Sequence, residues 1–220
     1  MLSLIRLLLP HHWLWRCLSM EARYAQEALD DRVNAARTWA ETEPETHTFT
    51  LAYWASSPVL ELGAGSGQIT RELVQGGRRV TAIEPSALLC AAGRKAVSAA
   101  QWVEANWRAD VVFDNWYRSV VIAHALHHIA DRDAVARFVN RKLCDGGHWI
   151  LLEPRHDWRR VAHLIKSWWL DLRHMPWEEY GATHHFLTRG EVRHIAKAGG
   201  FSIIAENPTP RATWWVLEKL

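Results

Sequence analysis

The stretch "VLELGAGSGQIT", residues 59–70, decides how the rest of the chain is read. Four apolar-rich residues of strand type run into glycines at alternate positions, Gly63, Gly65 and Gly67, with an acid, Glu61, just ahead of them. "GQITRELVQGG" (67–77) then has helical spacing and closes on glycine. A strand, a glycine turn and a helix in that order form the opening of a βαβ unit. Glycine tolerates positive φ and has no Cβ, so such a turn lets the backbone pass close to a ligand.

Outward from this loop the alternation continues. "RVTAIE" (79–84) and "AQWVEA" (100–105) read as strands, with "SALLCAAGRKAV" (86–97) a helix between them. "SVVIAHAL" (119–126) is an apolar strand, "DRDAVARFVNRKL" (131–143) a helix stopped by Gly146-Gly147, and "HWILLEP" (148–154) a strand. Helices alternating with strands predict an α/β fold built on a parallel sheet with right-handed crossovers. The tail changes pattern: "LTRGEVRHIAKAGG" (187–200) is helical, and "FSIIAE" (201–206) and "ATWWVLEKL" (212–220) are strands around Pro208 and Pro210, which suggests a hairpin. Ahead of the loop, Ala25, Leu29, Val33, Ala36 and Trp39-Ala40 recur at helical steps, predicting a helix over 19–43 that Pro44 ends. Residues 155–186, with four of the fourteen Trp, read as a helical insert.

Bulk properties narrow the class. A chain of 220 residues fits one domain, and a net charge of +2 gives little pull toward nucleic acid. Three widely spaced cysteines, Cys17, Cys90 and Cys144, make neither a disulfide framework nor a zinc pattern and suit a reducing, cytoplasmic compartment. No apolar run approaches the roughly 20 residues of a membrane span. The start, "MLSLIRLLLPHHWLWRCLSM", is read as a short amphipathic helix packed on its own domain. A targeting peptide, or peripheral membrane contact through residues 1–18, stays open beside it. No H-E-x-x-H or Cys-x-x-Cys spacing appears, so no metal site is expected.

The loop discriminates between ligands. A dinucleotide fingerprint places its third glycine three residues after the second, where this chain has Gln68, and a P-loop needs Gly-Lys-Ser/Thr, which is absent. Glu84, at the end of the second strand, is placed to accept ribose hydroxyls but serves several nucleotide-type cofactors equally. "ELGAGSG", "AIEPS", "DNWYRSVVIAHALHHIADRDA" and "LCDGGHWILLEP", in that order and spacing, resemble a class I S-adenosylmethionine-dependent methyltransferase of the small-molecule, type 11-like group. The likeness covers about residues 55–155, with a looser echo at "HHFLTRGEVRHIAKAGGFSII".

The resemblance implies a Rossmann-like, doubly wound sheet of seven strands, mostly parallel with an antiparallel C-terminal strand, and helices on both faces. It implies S-adenosylmethionine as cofactor and S-adenosylhomocysteine as product. By matched position Glu61 orients the methionine amino group, through water or backbone, and Gly63, Ala64, Gly65 and Gly67 form the loop around the methionyl part. Glu84 takes the ribose hydroxyls, with Pro85 against the adenine. Asn106 hydrogen-bonds the adenine amine with Trp107 beside the ring (Asp110 being the second choice), and Ala123 and His124 touch the methionine end. One departure is Tyr117-Arg118, where the family often has Phe-Asp.

Methyl transfer needs a base only where the acceptor must lose a proton. In phosphobase methyltransferases a similar Leu-His-Leu step supplies a catalytic histidine, and "LHHI" puts His128 in that place with His127 beside it. Capping or packing is the plain alternative for either histidine. Glu153 and His156 after the fifth β-strand, Tyr24 on the first helix, and His184-His185 are further candidates. Residues 1–57 and the 155–186 insert are expected to cover the acceptor, with Trp158, Trp168, Trp169 and Trp177 shaping a cavity for an aromatic or amine-containing molecule or anchoring the cover. The expected partner is a small-molecule acceptor, with no nucleic acid, and the protein a monomer or homodimer. The alternatives are a methyltransferase of RNA or protein and a binding protein without turnover; no Asn/Asp-Pro-Pro-Tyr/Phe motif supports adenine amino-methylation.

Overall fold

The computed structural model describes residues 50–109, 111–129, 131–154, 187–209 and 212–220. Seven strands form one sheet: β1 (Val59–Leu62), β2 (Val80–Glu84), β3 (Gln101–Glu104), β4 (Tyr117–Ala123), β5 (Leu143–Pro154), β6 (Phe201–Pro208) and β7 (Ala212–Lys219). Their spatial order is β3-β2-β1-β4-β5-β7-β6. The strands from β3 across to β5 pair in parallel, and β7 runs antiparallel to both β5 and β6. The expected seven-stranded doubly wound sheet with its reversed last strand is the fold observed. The order reverses between β1 and β4, which opens a crevice at their carboxyl ends.

Among the described residues, four helices connect the strands: α1 (Gln68–Gln75), α2 (Ala87–Ala96), α3 (Arg132–Lys142) and α4 (Arg189–Gly199). Strand side chains alternate between faces, so each strand feeds two cores. Leu60, Leu62, Val120, Ile122, Trp149, Leu151, Trp215 and Leu217 pack with α3 and α4 residues such as Val135, Val139, Val192 and Ile195. On the opposite face Val59, Val80, Val121, Ile150, Leu152 and Trp214 meet Ile69 and Leu73 of α1 and Leu51 and Ala55. Under α2, Cys90 and Val97 pack on Ala82 and Trp102. A Cβ on Gly93 would fall 2.1 Å from the Trp102 ring, so glycine is what lets α2 lie on that indole.

Helix ends follow from local chemistry. Ser86 caps α2 by accepting from the Leu89 amide, Asp131 caps α3 through Ala134, and Thr188 with Glu191 forms a reciprocal capping box on α4. The helical residues 50–54 are tied to the sheet by Arg78, whose guanidinium donates to the carbonyls of Leu51 (3.4 Å), Ala52 (2.6 Å), Ala55 (3.1 Å) and Gly76 (2.8 Å).

The boundaries differ from expectation chiefly around β5. Gly146-Gly147 is not the stop of α3: the helix ends at Lys142, and the chain passes directly into β5, where Leu143 pairs with Tyr117. An irregularity between Tyr117 and Ser119 absorbs the intervening residues before Ser119 pairs with His148, and Gly146 takes φ +67° there. Tyr117 is thereby a buried first residue of β4, while Arg118 stays outside. β4 ends at Ala123, earlier than expected, and Leu126–His128 forms a 3-10 turn instead of further strand. The helix expected over 19–43 and the 155–186 insert lie outside the described residues, as do Tyr24, Asp110, His156, His184, His185, Trp158, Trp168, Trp169 and Trp177.

Candidate functional site

The crevice is built where β1 and β4 diverge. Val59 and Glu61 face α1, as does Glu84 in the alternation of β2, which brings two carboxylates beneath the glycine loop. The loop backbone is held by the adjacent strand: the amides of Gly63 and Ala64 donate to the Ile83 carbonyl at 2.9 and 3.1 Å, and Gly67 donates to Ala64 at 3.0 Å. Gly63, Gly65 and Gly67 have φ of +72°, +56° and +92°, the left-handed region where a side chain is strained.

The three glycines differ in what surrounds them. A Cβ on Gly63 would sit 2.6 Å from the Cβ of Ala125, in the turn after β4, so this glycine lets the two walls of the crevice touch. One on Gly67 would meet the Trp102 ring at 3.1 Å. One on Gly65 meets no atom within 4 Å. Gly63 and Gly67 thus serve packing, whereas the space at Gly65 is a cradle that a side chain would fill.

Glu84 forms the floor beside that cradle. It is 3 % exposed; its Oε2 accepts from the Gly65 amide at 2.8 Å and its Oε1 from the Ser86 amide at 2.9 Å. One carboxylate therefore ties the glycine loop to the start of α2. Burial raises its pKa, and these two amide hydrogen bonds oppose that rise. Glu61 is also buried and accepts from the Thr70 hydroxyl at 2.6 Å. Its pKa is raised to about 8, chiefly by burial and with a smaller push from the charges of Glu84 and Glu72, against which the Thr70 bond acts to lower it.

The adenine-side candidates stand at the ends of β2 and β3. The Ala105 amide donates to the Glu84 carbonyl at 3.3 Å, so Pro85 and Asn106 leave adjacent strands side by side. Asn106 Oδ1 accepts from the Arg108 amide at 3.0 Å, the Arg108 guanidinium lies 4.4 Å over the Trp107 ring, and Trp107 meets Phe138 edge-on at 5.9 Å. Across the crevice, Ala123 ends β4, and the His124 amide continues the ladder to the Leu152 carbonyl at 2.8 Å. His124 has φ +53°, an unfavourable conformation for a residue with a side chain and one that accumulates at functional turns.

A buried pair stands behind this wall. Glu153, with no exposure, accepts from the Leu126 amide at 2.8 Å through Oε1, and its Oε2 lies 2.6 Å from His127 Nδ1. An ionised Glu153 can only accept, so against the ionised carboxylate Nδ1 carries the proton and, in a neutral ring, Nε2 is the basic nitrogen. The expectation centred on His128 with His127 beside it; the carboxylate pairs with His127, while His128 closes the same turn and its side chain lies outside the described residues.

The candidates Glu61, Gly63, Ala64, Gly65, Gly67, Glu84, Pro85, Asn106, Trp107, Ala123, His124, His127 and Glu153 all fall at the carboxyl ends of β1 to β5. Thr70, Ser86 and Ala125 were not foreseen. Thr70 had one signal, a hydroxyl residue three places past the last glycine, which is common in any helix.

Strand order, glycine loop and buried acid at the end of β2 define the class I, S-adenosylmethionine-dependent methyltransferase architecture. The residues fit that cofactor: the cradle at Gly65 is open, and each Glu84 oxygen has a lone pair beyond the amide it accepts. The chain belongs to the family described as methyltransferase domain, whose model matches residues 22–206. It is 31 % identical over 121 residues to a ubiquinone/menaquinone biosynthesis C-methyltransferase, UbiE, of Shewanella oneidensis, covering 50 % of this chain and 48 % of that one. The chain spans about half the length of the curated relatives it matches. Among solved structures it resembles the YcgJ protein of Bacillus subtilis (TM-score 0.63, 11 % identity, 80 % of this chain and 99 % of that one). A TehB-like SAM-dependent methyltransferase of Corynebacterium glutamicum is similar at TM-score 0.61 and 14 % identity, over 85 % of this chain and 97 % of that one. Among the described residues no helix is long and apolar enough to cross a membrane.

Proposed function

We propose that this chain transfers a methyl group from S-adenosylmethionine to a small molecule. The observation that carries the reading is the buried Glu84 carboxylate clamped between the Gly65 and Ser86 amides beside a cradle without a Cβ. When bound, the cofactor supplies an electrophilic methyl group on a sulfonium. Glu84 would hold the ribose hydroxyls, Pro85, Asn106 and Trp107 the adenine, and Glu61, the loop Gly63–Gly67, Ala123 and His124 the methionyl part.

The chain's own chemical contribution is alignment and, for acceptors that must lose a proton, a base. His127, with Nδ1 committed to Glu153, is oriented for that task through Nε2; His128, and Tyr24 and His156 from outside the described residues, remain candidates to complete the acceptor side. Residues 1–57 and 155–186 would cover the acceptor. Oxygen, nitrogen and sulfur acceptors fit, and the relatives named as C-methyltransferases add an activated carbon, which also needs a proton removed. Isothermal calorimetry with S-adenosylmethionine tests the donor reading. Binding by the wild type, its loss in Glu84→Ala and its retention in His128→Ala with slower turnover on a metabolite extract are expected. No binding by the wild type at millimolar cofactor would refute it.

A further inference from the structure

Glu61 is the carboxylate of the site with the least support. Glu84, beside it, has both oxygens on backbone amides, whereas the contact that reaches Glu61 among the described residues is the Thr70 hydroxyl, at 2.6 Å. Both members of this pair are buried, Thr70 completely. Thr70 is the third residue of α1, so the first turn of the helix presents its hydroxyl to the strand below it. Among the described residues no cation is set against Glu61: Glu84 from β2 and Glu72 from α1 add negative charge, and β4 places Val121 opposite Glu61 in register, with His124 beyond the strand end.

We propose that Thr70 is a positioning residue of the donor site, its hydroxyl fixing the Glu61 carboxyl so that one oxygen is held by α1 and the other serves the amino group of the donor's methionyl part. The proposal rests on the donor reading above and specifies how its acidic residue is made competent. With its pKa raised to about 8, Glu61 is a neutral acid at physiological pH before a donor binds. A bound ammonium group favours the anion, so the proton leaves to solvent as the donor binds. The Thr70 hydroxyl donates to the charged form and therefore lowers the pH at which that exchange occurs. No other described group performs this service for Glu61.

The sign follows directly. Below the pKa of Glu61, capture requires deprotonation, so apparent affinity rises about tenfold per pH unit and levels off near pH 8. Removing the hydroxyl moves the plateau upward. A hydrogen bond to a charged group corresponds to roughly one pKa unit or more, so Thr70→Val should weaken binding at pH 7 by about tenfold. Valine keeps the shape of the side chain, and Thr70→Ser restores the hydroxyl without the methyl group.

S-Adenosylhomocysteine is the probe, because it carries the amino group and is not consumed. Its binding would be measured by calorimetry from pH 6 to 9 in two buffers of different ionisation enthalpy, with a thermal melt of each variant as the folding control. Expected are release of close to one proton per ligand at pH 7 in the wild type, an upward displacement of the pH profile in Thr70→Val, recovery in Thr70→Ser, and a flat profile in Glu61→Gln. Wild-type binding without pH dependence or proton release overturns the proposal and leaves the donor reading standing. So does a Thr70→Val profile that superimposes on wild type, or a Thr70→Ser variant as weak as Thr70→Val. Failure of the wild type to bind at all removes both.

Discussion

The glycine loop allows a test that separates a packing glycine from a ligand glycine two residues away. Gly63→Ala places a methyl group 2.6 Å from the Ala125 Cβ while keeping φ at +72°. The left-handed backbone costs about 1–2 kcal/mol, and forcing the extra methyl into a closed contact about 1–3 kcal/mol. The sum, about 2–5 kcal/mol, lowers the melting temperature of a chain this size by roughly 4–20 °C. Gly65→Ala carries only the backbone part, because its Cβ meets nothing within 4 Å, so its melt should fall by only a few degrees. Its methyl group instead occupies the cradle, and donor binding should drop at least tenfold by calorimetry. Ala125→Gly supplies the internal control. In a double-mutant cycle the Gly63→Ala penalty should shrink by the overlap share when residue 125 has no Cβ, since the two sites touch. A Gly63→Ala variant melting within 2 °C of wild type, or an equal penalty in both backgrounds, would refute the contact argument.

Two further outcomes follow from buried charges. Lys142 is fully buried, donating to the Val112 carbonyl at 2.8 Å and to Asp114 at 2.6 Å, with its ammonium 5.1 Å from the Phe138 ring. Lys142→Ala should cost about 2–3 kcal/mol in urea unfolding by opening a cavity and taking the donor from the Val112 carbonyl, since the half-exposed Asp114 can hydrate, and Lys142→Met less, because the apolar stem remains. An unchanged midpoint for the alanine variant would contradict that account. Glu153→Gln keeps the shape but must turn its amide oxygen to the Leu126 amide, which leaves its NH2 facing His127 and reverses the ring's tautomer. Nitrogen-detected NMR should show the proton moved from Nδ1 to Nε2, with S-adenosylmethionine affinity unchanged within about threefold and turnover on a proton-losing acceptor reduced by roughly a hundredfold or more. A retained Nδ1 proton would show that Glu153 does not set the tautomer.

The parts of this molecule legible in the sequence are those encoded locally. Glycine spacing, the acid ending β2 and the alternation of apolar strands with helices were sufficient to place the crevice and the strand ends on which the proposed donor-side residues stand. Contacts between distant segments were not legible. Nothing near Gly63 indicates that Ala125 will stand against it, and the identity of the buried histidine depends on Glu153, 26 residues further on. Between the neighbours His127 and His128, no local rule decides which side chain a turn will direct at that carboxylate. Gly146-Gly147 misled for a different reason. A glycine pair is a normal helix stop, yet here α3 had already ended, because Leu143 is taken up by pairing with Tyr117. Thr70 was hidden because a threonine in a first helical turn has a sufficient local explanation.

The Arg78 guanidinium described with the fold has a practical meaning for anyone trimming this protein. It draws on the carbonyls of Leu51, Ala52 and Ala55, all ahead of β1, and on that of Gly76 at the end of α1. A chain shortened to begin at the first strand would keep every residue of the crevice and still lose three of those four acceptors, leaving a cation aimed at a missing partner. A fragment that keeps the described sheet intact therefore has to begin no later than about Thr50, a limit set by an arginine with no described contact in the crevice.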